Sequence, residues 1–449
     1  MQRIVLTFCL LLGAAPAAAA QENAPPEVPA AAPVVDDNAG VSSALSSLRN
    51  DLERLIRSPG WNDDRWSVMV VSLTRGDTLY DHGADDALAP ASNLKLFTTA
   101  AGLYYLGPDF RYNTFLMVDG TIADGVLSGD VVLYGTGDPT LSSRYGGQID
   151  VWEAFADTLA ALGVQEVRGD VVGDGTYFTG PATGEGWQTN YMNASYAAPA
   201  SALTFSENVV TLEIGPGEQA GWRPEVSAVE GGDAIAVVNQ ATTVARGRTS
   251  IRVRRAAYDG PILVQGQIAR GVRPILRSVP ASDPPQFAAA ALHEVLLDRG
   301  IKVTGEARTV AAASASAVTG RTVYAPALRN DRPMRVLAIH TSQPILEVLD
   351  VINRHSHNLM AEQVLRTVGR VALGEGSVAA GEEAVRAMLD REIEAPGAGV
   401  RMYDGSGLSV LNRTSARGII HLLSFIARSP FWEAYWSTLP EAASRDGLR

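Results

Sequence analysis

The 449-residue sequence has one cysteine and two lysines, and each scarcity excludes something. Cys9 falls within the first twenty residues, which read as a secretory signal peptide. Arg3 gives a basic start, residues 4–15 an apolar stretch, and Ala18, Ala19 and Ala20 a small-residue cleavage site before Gln21. The bulky Phe8 ahead of Cys9 argues against lipid attachment at that thiol. Once the leader is removed no cysteine is left, which excludes disulfides and thiolate chemistry even in an oxidising compartment. No later stretch reaches the roughly 18 apolar residues of a membrane-crossing helix, so no stable membrane insertion is expected. Net positive charge is missing as well: the formal charge is −12, which speaks against nucleic acid as a partner. Nearly all the basic residues are arginine, so Lys95 and Lys302 stand out.

The length implies two or three domains. Residues 21–40 are rich in alanine and proline without periodicity and read as a disordered linker. Ser42 or Ser43 is positioned to cap a helix carrying Leu45, Leu48, Leu52 and Ile56 on one face. Residues 66–73 are apolar on both faces, as a central strand must be, and Arg75-Gly76-Asp77 turns them into a second strand over 78–81. From about Gly107 to 322, short β-branched runs alternate with Gly/Asp turns, at 125–133, 169–174, 208–214 and 250–253. One helix interrupts them, capped by Asp283 and ended by Gly300. Helical spacing returns from about 335. Ser342-Gln343-Pro344 precedes Leu346, Leu349 and Ile352; a second helix carries Leu359, Glu362 and Leu365; Thr414 opens a third.

Within the first helical region lies Ser92-Asn93-Leu94-Lys95. Leu94, Phe97, Ala101 and Tyr104 recur at helical spacing, which puts Ser92 on the first turn. Positions i and i+3 bring Cβ atoms to about 5–6 Å, so the Lys95 amine can reach the Ser92 hydroxyl. A serine becomes a nucleophile when a neighbouring base takes its proton, and a lysine is such a base if burial lowers its pKa. The tetrapeptide alone recurs on many surface helices. A second element, Ser356-His357-Asn358, sits 264 residues later at the junction of two helices, where the same residues could also simply cap a helix. His355 and His357 with Glu362 invite a metal reading that the helical pattern disfavours, and His82, His293, His340 and His421 are scattered. Asp404-Gly405-Ser406-Gly407 reads as a tight turn ahead of the Thr414 helix. Gly135-Thr136-Gly137 lacks the strand–helix context of a dinucleotide fingerprint.

Taken together, Ser92-x-x-Lys95 and Ser356-x-Asn358 occur with Gly135-Thr136-Gly137-Asp138-Pro139-Thr140-Leu141, Gly173-Asp174-Gly175-Thr176-Tyr177-Phe178, the run 196–203 and Asp404-Gly405-Ser406-Gly407-Leu408-Ser409. In this order and spacing they resemble the class C low-molecular-mass penicillin-binding proteins, the D-alanyl-D-alanine carboxypeptidases/endopeptidases, over roughly residues 42–449. The resemblance implies an α/β (α+β) transpeptidase/β-lactamase-like serine DD-peptidase domain, built from 41–108 and 323–449 and interrupted by a large β-rich insertion over 109–322. It implies that Ser92 is acylated, that Lys95 is its base, that Ser356 relays a proton to the leaving amine, and that Asn358 positions lysine and substrate. Peptidoglycan stem peptides would be the substrates and β-lactams covalent inhibitors, with no cofactor and no metal. The setting would be periplasmic, the leader being cleaved near Ala20.

Three departures qualify the resemblance. His357 replaces an aspartate common at the middle position. Gln188-Thr189-Asn190 stands where the family has an acidic pair for the peptidoglycan side chain. The third element, Lys-Thr-Gly on a strand, belongs after a segment like 439–449, while Lys302-Val303-Thr304-Gly305 lies upstream of Ser356 and reads as a strand of its own. The expectation is that the sequence is a fragment of an active enzyme and inert as it stands. Two other classes compete: a catalytically silent wall-binding protein, and a serine β-lactamase or esterase. The long insertion and the lack of a deacylating glutamate segment count against the latter.

Overall fold

The structure, a computed structural model, describes residues 37–58, 65–232, 235–255, 257, 259–310, 312–320, 323–324, 326–329, 333–393 and 399–441. The leader and residues 21–36 of the linker lie outside them. Helix α1 (Asp37–Ile56) starts ahead of the expected Ser42 or Ser43, since no proline after Pro33 stops it from growing N-terminally. It packs Leu45, Leu52 and Ile56 against the antiparallel pair β1 (Val68–Val71) and β2 (Thr78–His82). Among the described residues β1 pairs with β2 alone, so the expected central strand is buried by helices instead. Val68 and Val70 face α1, while Met69 and Val71 meet Ala416 and Ile420 on the other side. A 3₁₀ turn, Ala91–Leu94, then leads into α2 (Lys95–Leu106), an almost wholly buried helix.

The next 230 or so residues, on the spacing that separates strands by short turns, build four sheets among the described residues. The chain runs β3 (Asn113–Ala123), β4 (Val126–Gly135), α3 (Gln148–Ala161), β5 (Glu166–Arg168) and β6 (Val171–Asp174). It continues through β7 (Val209–Gly215), β8 (Glu225–Ala228), β9 (Val237–Asn239), β10 (Thr242–Val244), β11 (Ser250–Arg255), β12 (Ile262–Ala269) and β13 (Ile275–Pro280). After α4 (Pro284–Asp298) come β14 (Lys302–Val303), β15 (Ala307–Thr309), β16 (Val318–Gly320), β17 (Ala327–Leu328) and β18 (Met334–Thr341). Asp283 caps α4 as expected, accepting from the Gln286 N–H at 3.0 Å. Helix α3 was not expected. Its buried Trp152, Phe155, Ala156 and Leu159 carry a clear helical period, overshadowed by the strand-like segments on both sides.

The largest sheet joins β3, β4, β5, β6, β14, β15 and β18, with β3 antiparallel to both β4 and β18, and the remaining pairs parallel. Its strands alternate between two cores, as a pleat of period two requires. Phe115, Met117, Val132 and Tyr134 face the helices around α2, whereas Leu116, Val118, Val131 and Leu133 face α3 and α4. The helical region begins later than its spacing suggests: residues 334–341 form β18, paired with β3 from Met334↔Asp119 to Thr341↔Asn113. The helices resume only at α5 (Ile345–His355), followed by α6 (Asn358–Leu373), α7 (Val378–Glu392), α8 (Ala416–Arg428) and α9 (Trp432–Thr438). Ser415, not Thr414, caps α8, because Thr414 is held in a backbone bridge with Leu88. Helices α5, α6, α7 and α8 all pack against α2, which fixes the place of Lys95 at the centre of this core.

Candidate active site

Backbone geometry turns the chain at two points of the cluster around Ser92. Ala91 has φ 48° and Ser356 φ 56°, both in the left-handed region that non-glycine residues adopt at a cost of about 1–3 kcal/mol. The first turns the chain into the 3₁₀ turn that carries Ser92. The second closes α5 and swings directly into α6, so that Ser356 and Asn358 flank the bend. Gly407 locks the first of these: a Cβ there would lie 1.8 Å from the Ala91 carbonyl oxygen, so only glycine lets the 404–409 loop approach.

All four residues anticipated from the sequence meet. The Ser356 hydroxyl donates to Ser92 Oγ at 2.8 Å. Lys95 Nζ lies 2.7 Å from Asn358 Oδ1, 2.6 Å from the Ser406 carbonyl oxygen and 3.3 Å from Ser92 Oγ. Asn358 Nδ2 in turn donates to the Tyr196 carbonyl at 2.9 Å, which anchors the motif to the rim formed by the inserted segment. Ser92 and Ser356 are exposed, while Lys95 is 2% exposed. Burial lowers the Lys95 pKa from 10.5 to about 8, and the negative charges of Asp404 and Glu362 restrain that fall.

The valences of the lysine follow from this. Asn358 Oδ1 and the Ser406 carbonyl can only accept, so two N–H groups of Lys95 are committed to them. The third direction faces Ser92 Oγ. In the uncharged amine that direction is the lone pair, aimed at the serine hydroxyl proton.

Behind this cluster stands a buried polar frame that the sequence reading missed. Glu362 Oε1 accepts from the Gly405 and Ser406 N–H groups at 2.8 and 2.9 Å, and its Oε2 accepts from Arg366 Nη1 at 2.8 Å. Burial, reinforced by Asp404, pushes the Glu362 carboxyl above its ordinary range against the pull of Arg366. Asp404 accepts from the Gly407 and Ser409 N–H groups, from Asn412 Nδ2 and from Trp187 Nε1. The loop over 404–407 is thus a tight turn, as expected, but also the support that aims the Ser406 carbonyl at Lys95. The available signal was Glu362 and Arg366 four residues apart on an otherwise apolar helix face, an arrangement that marks a buried pair.

His357 takes no part in the cluster itself. Its Nδ1 accepts from the Met360 N–H and caps α6, leaving the Nε2 hydrogen directed at Glu207 Oε2, 3.1 Å away. Glu207 sits in a run of three left-handed residues, Ser206, Glu207 and Asn208, and also receives Arg144 Nε and the Ser142 hydroxyl. Burial opposes its charge, but these donors outweigh it and hold the carboxyl at about 2. His355 is exposed, and Glu362 is fully occupied, so the three do not converge. Among the described residues no group of three or more His, Cys, Asp and Glu is arranged to hold a metal, and no helix is long and apolar enough to cross a membrane. Lys302 lies on β14 in the large sheet, paired with Glu166 at 3.3 Å.

A buried lysine whose free valence faces an exposed serine is one arrangement by which a serine-type hydrolase activates its nucleophile, and fold and site together fit that class. Over residues 48–448 the sequence matches the D-Ala-D-Ala carboxypeptidase 3 (S13) family, and the chain belongs to it. It is a serine-type D-Ala-D-Ala carboxypeptidase of the penicillin-binding class. It is 30% identical over 426 residues to the D-alanyl-D-alanine carboxypeptidase of Actinomadura sp. (strain R39), covering 93% of this chain and 74% of that one. It is 24% identical to the D-alanyl-D-alanine carboxypeptidase DacB of Haemophilus influenzae, over 80% of this chain and 70% of the relative. The crystal structure of penicillin binding protein 4 (dacB) from Haemophilus influenzae shares the fold, with a TM-score of 0.66 at 22% identity over 83% of this chain and 77% of that one.

Proposed function

We propose that Ser92 is the residue acylated by the penultimate D-alanine carbonyl of a peptidoglycan stem peptide, with Lys95 as its base. The neutral Lys95 amine takes the Ser92 proton as Oγ attacks the carbonyl. Collapse of the tetrahedral intermediate breaks the peptide bond, and the departing amine of D-alanine receives a proton through the Ser356 hydroxyl. Water then attacks the ester, Lys95 again accepting a proton, and frees Ser92. Asn358 keeps the lysine aimed and offers its amide to the substrate chain. The same ester would form from a β-lactam, and departure of a second stem peptide instead of D-alanine would make the reaction an endopeptidase cleavage. We further place the enzyme in the periplasm, exported on the leader that ends near Ala20, with the sheets of roughly residues 113–341 inserted into the catalytic body.

The observation that carries the reading is the commitment of two Lys95 N–H groups to Asn358 and Ser406, which leaves the lone pair on Ser92. In a form of the protein that also carries a Lys-Thr-Gly element, incubation with a labelled penicillin followed by peptide mapping should place one adduct on the peptide containing Ser92, absent from Ser92→Ala. An adduct on another peptide, or one undiminished in that variant, rejects the assignment.

A further inference from the structure

Residues 244–281 hold eight arginines against one acidic residue, Asp259, in a chain whose net charge is −12. Arg255 points inward and is tied to the Gly260 and Pro280 carbonyls. The other seven are exposed, and none forms an ion pair with a described residue. Elsewhere some arginines do find acids: exposed Arg308 meets Asp130 and Asp170, and half-buried Arg417 meets Asp81 and Asp85.

Register places several of them on one surface. In β11, Ile251, Val253 and Arg255 turn toward the core side, while Arg252 and Arg254 alternate outward. Arg252 pairs with Gln265 and Arg254 with Leu263 of β12, so these share the outer face. Gln265 bridges Arg254 Nε and Gln240 Oε1, and Gln267 holds the Arg248 carbonyl at the same end of the strand. The face therefore sets arginine among amides, with Leu263 beside Arg254. Arg252 and Arg254 stand about 7 Å apart along the strand and repel one another when nothing anionic lies across them. β11 also leads to the rim of the Ser92 site: Asn193 bonds the Arg255 N–H and carbonyl, three residues before the Tyr196 whose carbonyl holds Asn358.

We propose that the outer face of β11 and β12 is a second, non-catalytic binding surface for a peptidoglycan strand, gripping its carboxylates. The guanidinium fork matches a carboxylate through two parallel hydrogen bonds. The intervening amides suit the neutral hydroxyl and amide groups of a glycopeptide. A membrane surface would call for an amphipathic helix with a broad apolar side, and this face is a sheet on which Leu263 and Val238 are the only apolar neighbours of the arginines among the described residues. The identity of the polymer rests on the carboxypeptidase reading, but binding here requires no turnover.

The test is co-sedimentation of the full chain with purified insoluble peptidoglycan. The bound fraction should fall as salt rises from roughly 0.01 to 0.15 M, where the screening length drops from about 30 to about 8 Å. Arg252→Gln/Arg254→Gln should weaken binding by on the order of tenfold or more, and peptidoglycan whose carboxylates have been chemically amidated should fail to retain the unaltered protein. Ser92→Ala should bind as the parent does, so loss of acylation and loss of binding are read separately. Binding indifferent to both the arginine pair and carboxylate amidation overturns the proposal. So does salt-sensitive capture by vesicles containing anionic phospholipid with none by peptidoglycan.

Discussion

Lys95 and Lys302 carry the same amine into opposite surroundings. Lys302 stands on β14 with a side chain 69% exposed and a carboxylate, Glu166, as its partner. Lys95 is 2% exposed and touches an amide oxygen, a carbonyl and a hydroxyl, but no carboxylate among the described residues. Two acids do lie near it. Both are engaged elsewhere: Glu362 by Arg366 and two backbone N–H groups, Asp404 by two N–H groups and two side chains. A direct ion pair would hold the Lys95 pKa near its ordinary 10.5 instead of letting it fall to about 8. The fold instead supplies enough distant negative charge to tolerate the buried amine and withholds the contact that would fix its proton.

Removing the titratable amine should break this contrast most completely. Lys95→Arg keeps a long cation but one that cannot deprotonate in a protein. Ser92 acylation by labelled penicillin should fall by about 10²–10⁴-fold, the usual worth of a positioned acid–base group. Normal acylation of this variant would show that another group is the base.

Breaking the frame behind the amine comes next. Glu362 and Arg366 are both fully buried, so Glu362→Gln leaves an uncompensated guanidinium inside the core. Denaturant unfolding should show a loss of about 3–5 kcal/mol, the cost of breaking rather than replacing a buried pair. The double variant Glu362→Leu/Arg366→Met should recover much of it. If the single variant is as stable as the parent, the pair does not hold the 404–407 loop.

A finer probe is pH. Acylation requires the uncharged amine, so its rate should rise with pH, with a midpoint near 8, and level off above. Asp404→Asn removes a charge that holds the value up and should move the midpoint lower. Stability follows the same proton. The unfolded lysine returns to about 10.5, so between about 8 and 10.5 the unfolded chain binds the extra proton and stability climbs with pH. Below 8 both states are charged and the cost of burying the ammonium is fully present. A flat acylation profile from pH 6 to 10 (roughly two units either side of the midpoint, enough to span a single titration) would remove Lys95 from the proton path.

The parts of this arrangement differ in how legible they were. Ser92 and Lys95 could be paired from their spacing alone, because a helical turn fixes which positions meet. Ser356 and Asn358 could be placed at a helix junction, but not on Ser92: that contact depends on the left-handed turn at Ser356, and a serine carries no sequence mark of positive φ. The Glu362–Arg366 pair and the Ser406 carbonyl were hidden for a related reason. One is a side-chain pair whose burial is decided by α2 and the loop after residue 399, the other a backbone atom that any residue type supplies. In the fold, the β1–β2 hairpin and the Asp283-capped helix followed from local chemistry. Strand β18 did not, since its partner β3 lies more than two hundred residues earlier and only the long-range pairing distinguishes 334–341 from the helical region it precedes.

Lys302 sets the lower end of the comparison. Its ammonium is solvated, its contact with Glu166 bridges two neighbouring strands at the surface, and Arg168 donates to the same carboxylate. Exposed pairs of this kind lose in side-chain entropy most of what they gain in attraction, and salt screens the rest. Lys302→Gln should therefore leave thermal unfolding within measurement error and Ser92 acylation unchanged across the pH range. That insensitivity is informative because Lys302 opens the sequence Lys-Val-Thr-Gly, which superficially resembles a substrate-anchoring element. If Lys302→Gln were to raise the concentration of penicillin needed for half-maximal acylation, β14 would have to reach the Ser92 site. Its pairing with β5 at the far edge of the large sheet argues against this, since four strands, β5, β4, β3 and β18, separate it from α5 along the order of the sheet.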